Sequence, residues 1–119
     1  MVEIIEYNSI SNKENYEEFL KLKKNNLLYD NEFINILIKI YDVKFFFATS
    51  FDHSKQINGL LLFYVNKDFR NKLNAFTFND CLIADDKNII ENLINETQSF
   101  ILKNNISSFT LHTNEKLKN

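Results

Sequence analysis

Four features of this sequence carry groups that do chemistry elsewhere: Cys81 beside Asp80, the carboxylates Asp80, Asp85 and Asp86, and the two histidines, His53 and His112. A cysteine attacks as its thiolate, which a nearby histidine, cation or helix start stabilises. Cys81 has no histidine near it in sequence, and the Asp80 carboxylate works against the thiolate, so it reads as a half-buried structural residue. Asp80, Asp85 and Asp86 offer the oxygen ligands that a divalent ion takes, yet acids just ahead of a helix are ordinary caps, and no metal is assigned to them. His53 falls in a polar turn and reads as solvated. His112 shares the last apolar segment with Ser108 and Thr110. It is the candidate general base, set against the plainer reading of a polar sheet face or a frayed end. Nowhere does the sequence place a nucleophile, a base and an orienting group together.

The elements that must position these residues are organised around Val43–Val65. Two apolar runs of Phe, Leu and Val, Val43–Ser50 and Ile57–Val65, flank the polar stretch Phe51–Gln56 and read as the strands of a hairpin. Both alternating faces are apolar, with Phe45 and Phe47 opposed by Phe46 and Ala48, so helices are expected on both sides of the sheet. Ahead of the hairpin, Val2–Tyr7 alternates as a short strand. Ser11 and Glu14 have the spacing of a capping box and predict a helix over 12–24 with a stripe of Tyr16, Phe19, Leu20 and the stem of Lys23. Asp30 caps a second helix, Asn31–Tyr41, with Phe33, Ile34, Leu37, Ile38 and Tyr41 on one face and Ile36 and Ile40 widening it; this helix is expected to be the more deeply buried.

After the hairpin, the polar connection Asn66–Lys72 leads to a third strand, Leu73–Asn79, paired with Ile57–Val65 across a long loop. Asp85 or Asp86 caps a helix running to about Asn104, with Ile89, Ile90, Leu93, Ile94, Thr97, Phe100 and Ile101 in a periodic stripe. Ile106–Thr113 forms the last strand, parallel to the third and joined to it through that helix. The charged tail 114–119 is expected to fray.

Composition narrows the function classes. The 119 residues fit one domain, 1–119, and 12 Phe argue against disorder. A formal charge of −2 gives no reason to expect a nucleic-acid duplex as partner. A single cysteine excludes an internal disulfide. The N-terminal residues carry two acids and no basic leader, and no apolar run approaches the roughly 18 residues of a membrane span, so a cytoplasmic chain without a membrane span is expected.

The order β-α-α-β-β-β-α-β, an α/β (α+β) mixed sheet with helices on both faces, resembles the GNAT acyltransferase fold. Within it the likeness is closest to the N-terminal half-domain of FemAB-like peptidoglycan-bridge aminoacyltransferases and their relatives in polysaccharide biosynthesis. The stretches that carry it are Tyr16–Leu20 leading to Leu28–Ile34, Ile57–Leu61 with Gly59 early in the strand, and Phe76–Ile83 ahead of the long helix. The resemblance spans about 12–113 and implies a fold truncated after its fifth strand. It also implies a cleft between the fourth and fifth strands, which makes Phe78, Asp80, Phe109, Thr110 and His112 the candidate cleft or interface residues.

GNAT enzymes seat the acyl-CoA pyrophosphate in a glycine-rich loop between the fourth strand and the next helix, where backbone amides and the positive helix end meet the phosphates. The corresponding stretch here, Asp80–Asp86, has no glycine and three carboxylates. Acyl-CoA is therefore disfavoured and no cofactor is assigned. Gly59, the only glycine, reads as a site of close backbone packing or a bulge. What the resemblance implies is a transferase-related module, incomplete alone, that offers a substrate-side or partner surface; an active N-acyltransferase completed by another subunit and a structural interaction domain are the alternatives. An uncovered edge along 106–113 implies self-association or a protein partner, with proline at Thr110 expected to remove a free donor from that edge.

Overall fold

The computed structural model describes residues 1–11, 13–23, 35–36, 38–40, 43–77 and 82–111. The aromatic and branched runs form two long antiparallel strands, β2 (Lys44–Phe51) and β3 (Ile57–Lys67), in register from Lys44↔Val65 to Ser50↔Gly59, with a bulge before Phe51↔Ile57. Both ends of β3 turn by the same device. Asp52 Oδ1 accepts from the amides of Ser54 and Gln56 at 2.8 and 3.0 Å, and Asp68 Oδ1 accepts from Arg70 and Lys72 at 2.8 and 3.1 Å. In each turn the residue before the last bond is left-handed, Lys55 and Asn71 both at φ 63°. An aspartate that satisfies two amides makes such a tight turn self-supporting.

β1 (Val2–Glu6) pairs antiparallel with β2, and β4 (Leu73–Phe76) pairs antiparallel with β3 from Tyr64↔Phe76 to Lys67↔Leu73. The long loop expected between the third strand and β3 is thus a short hairpin turn, because β3 continues through Asn66 and Lys67. A further correction concerns Leu82–Ala84, expected to be loop. These residues form β5, paired with Gly59–Leu61. α2 (Lys87–Lys103) then crosses over to β6 (Ser108–Thr110), which lies parallel to β4. Among the described residues the sheet runs β1-β2-β3-β4-β6, with β5 on β3 beside this path. No described helix is long and apolar enough to cross a membrane.

Each face of the sheet carries its own core. α1 (Lys13–Leu22) buries Tyr16, Phe19 and Leu20 against Phe45, Phe47, Leu60 and Leu62, and the Tyr16 hydroxyl meets Thr49 Oγ1 at 2.9 Å inside this layer. On the opposite face α2 lays Leu93 and Ile101 over Ala48, Leu61, Phe63, Val65 and Ala75. Alternation along β2 and β3 sends even and odd positions to opposite cores, as the two-sided apolar pattern requires. Of the second expected helix, residues 35, 36 and 38–40 are described and are helical; the rest lies outside the described residues. Ile38 packs on the α1-side core, but Ile36 and Ile40 are exposed, contrary to the expectation that they widen the buried face. Two residues along a helix rotate the side chain by about 200°, so positions on either side of an inward Ile38 turn outward.

Candidate functional site

β4 and β6 run side by side as far as Phe76 and Thr110, where the Thr77 amide donates to the Thr110 carbonyl at 3.1 Å. Beyond that point the pairing changes hands. On β3 only Leu62 and Phe63 separate the β4 register from the β5 register, whereas residues 77–81 separate β4 from β5, a shift of three. β5 follows β3 alone, and among the described residues it has no strand partner on its other side. The sheet therefore divides at the end of the β4–β6 pair.

Two acids shape that helix start. Asp86 is the N-cap, in extended conformation, with its Oδ1 accepting the Ile89 amide at 3.0 Å. The Asp85 amide donates to the Asn58 carbonyl at 3.1 Å, and its carboxylate pairs with Lys23 Nζ from the end of α1 at 2.5 Å. Both partners are partly exposed, so the pair fixes geometry more than it stabilises. Gly59 lies directly beneath. A Cβ there would stand 2.5 Å from Ile89 Cγ2 and 3.0 Å from Leu93 Cδ1, so the missing side chain is what lets the first turns of α2 press onto β3. Asn58 Oδ1 is buried and has no hydrogen-bond partner among the described residues. Of the charged side chains named at this helix start, Asp85 and Asp86 are acceptors and Lys23 is the one cation.

Of the residues singled out in the sequence, Phe109 turns its ring edge-on to Phe63 at 6.2 Å and joins the α2-side core, while Thr110 is exposed on the other face. Phe78, Asp80, Cys81 and His112 lie outside the described residues. His53 is exposed in the β2–β3 turn. No group of three or more His, Cys, Asp or Glu suited to a metal ion occurs among the described residues. Sequence reasoning missed the reach of Lys23 across to Asp85. The signal is the position of Lys23 at the end of the α1 stripe, where a long stem carries its ammonium past the apolar face.

No protein-family model matches the sequence, and no curated protein matches it significantly. Solved structures do match. A ribosomal-protein-alanine N-acetyltransferase from Brucella melitensis biovar Abortus superposes with a TM-score of 0.66 at 11% identity, over 97% of this chain and 81% of that one. An aminoglycoside acetyltransferase from an uncultured soil metagenomic sample, in complex with sisomicin, gives 0.64 at 17% identity, over 97% and 78%. A GNAT family acetyltransferase from Staphylococcus aureus gives 0.61 at 17% identity, over 97% and 88%. The chain has the GNAT acetyltransferase fold. At such identities the likeness is one of fold, and chemistry has to be argued from the residues of the site. In GNAT terms β4 and β5 together stand for the fourth strand, β6 for the fifth, and the Asp85–Asp86 connection for the loop that precedes the long helix.

Proposed function

We propose that this chain is a transferase-related GNAT-fold module of the FemAB-like kind, catalytically incomplete on its own, which contributes a substrate-side or partner-binding surface. The observation that carries this reading is the start of α2. A pyrophosphate presents acceptor oxygens and negative charge, and a helix start receives it through free first-turn amides. Here the Asp86 carboxylate already holds the Ile89 amide, and Asp85 adds a second carboxylate. The residues present do not fit a CoA pyrophosphate. Isothermal titration of the chain with acetyl-CoA tests the reading: no heat of binding is expected, and micromolar affinity would overturn it.

A partner surface fits the same reading. β6 ends the sheet, and among the described residues its outer side carries no strand. Such an edge is a template for strand addition by a second copy or another protein, which is also the route by which another subunit would complete an active N-acyltransferase. Because the Thr110 carbonyl accepts from Thr77, Thr110 turns its backbone toward β4, and Phe109 presents the outward amide. Proline at Thr110 would therefore break the fold's own pairing and not the free edge, which corrects the expectation from sequence. Sedimentation equilibrium combined with hydrogen exchange reads the edge directly. Association with a Phe109 amide that slows as concentration rises supports strand addition. A monomer with concentration-independent exchange contradicts it.

A further inference from the structure

At the opposite end of α2 from the paired acids, a groove of about 670 Å³ opens between the helix's last turns and the sheet, within the roughly 300–1,000 Å³ typical of small-molecule sites. Its floor is apolar. Phe46 and Phe100 meet there at 5.2 Å between ring centroids, and Leu73 and Ile106 continue the surface. Two cations stand at its mouth. Lys44 shares the α2 side of β2 with Phe46, and Lys67 shares the α2 side of β3 with Val65, the residue paired with Lys44. The two lysines are thus diagonal neighbours on one face, both exposed, and neither has an ion-pair partner among the described residues.

The end of the helix leaves little for these ammonium groups to do. The Phe100 carbonyl already accepts from the Asn104 amide at 3.1 Å and from Asn104 Nδ2 at 2.8 Å, and the Ile101 carbonyl accepts from the Ile106 amide at 3.1 Å. Like charges set diagonally on one sheet face repel, and an anion between them removes that cost. Asn66 and Asn71 line the same groove and supply further polar groups at its rim.

We propose that this groove binds an amphipathic carboxylate, its alkyl or aryl body against Phe46 and Phe100 and its carboxylate between Lys44 and Lys67. The site is separate from the start of α2 and does not depend on whether that end accepts a donor. Decanoate is the probe, with decanol as the neutral analogue of the same body. Calorimetry on the full chain is expected to show saturable decanoate binding that weakens as salt is raised, with decanol binding more weakly. Lys44→Gln and Lys67→Gln each lower decanoate affinity about tenfold and leave decanol affinity unchanged. Lys87→Gln, at the other end of the helix, changes neither. Both lysines are exposed, so the variants keep the fold, which circular dichroism checks. Absence of saturable decanoate binding, or equal decanoate affinity in wild type and the Lys44→Gln/Lys67→Gln double variant, would overturn the proposal.

Discussion

The two ends of α2 rest on the same sheet and differ in what lies beneath them. Under its first turns the sheet offers Gly59 and Ala84, and the helix presses in until a single added Cβ would collide with Ile89. Under its last turns the sheet offers Phe46 and Phe63, whose rings lie 5.2 and 5.8 Å from that of Phe100, and the helix stands off over a groove. Small residues on β3 and β5 thus let the start of α2 close onto the sheet, while a groove opens under its last turns. Charge follows the same division, with Asp85 and Asp86 at the sealed end and Lys44 and Lys67 at the open one.

Removing the ring that props the open end should have the largest effect. Phe63 is fully buried and touches Phe46, Phe100 and Phe109, so Phe63→Ala is expected to cost about 3–5 kcal/mol in urea unfolding. At the sealed end, Gly59→Ala forces Ile89 and Leu93 aside and is expected to cost about 1–3 kcal/mol. Removing the obstructing Cγ2 should return part of that loss, so a cycle with Ile89→Ala measures the coupling directly. Asp86→Ala removes the cap from the Ile89 amide and is expected to cost about 1 kcal/mol by the same assay.

The smallest effect is a pH dependence near the open end. Burial works to raise the Asp68 pKa, but hydrogen bonds from the Lys72 amide, Asn74 Nδ2 and the Arg70 amide, together with the Arg70 charge, win and hold it below the usual carboxylate value. A carboxyl whose folded pKa is lowered contributes stability that is present above its unfolded pKa and lost as pH falls through the folded one. Acidification below about pH 4 should therefore weaken the β3–β4 turn. In an Asp68→Asn variant that share of the acid loss should vanish from the stability-versus-pH curve.

Much of this architecture was legible in local patterns. The stripe Ile89, Leu93, Thr97 and Ile101 announces α2, and Leu93, Thr97 and Ile101 are its buried residues. The doubly apolar runs announce a sheet covered on both faces. What local pattern does not encode is register. Leu82–Ala84 is three residues long, too short to alternate visibly, and it becomes a strand only because Gly59–Leu61 lies free to pair with it. Ile36 and Ile40 count as apolar in any pattern, and only the orientation of Ile38 shows that they face out. Of the candidate cleft residues, Phe109 lies on the last strand, and its contact with Phe63 draws it into the core. The lysines of the groove lie at the polar ends of two apolar runs, and their shared face follows from the β2–β3 register, which the sequence does not display.

The central claim is that the start of α2 is closed to the pyrophosphate of an acyl-CoA by its own carboxylates. Amide NMR of the chain titrated with acetyl-CoA tests it most directly, read at Lys87, Asn88, Ile89 and Ile90. The account predicts no saturable shifts at these amides up to millimolar ligand. Saturable shifts there at micromolar acetyl-CoA would contradict it.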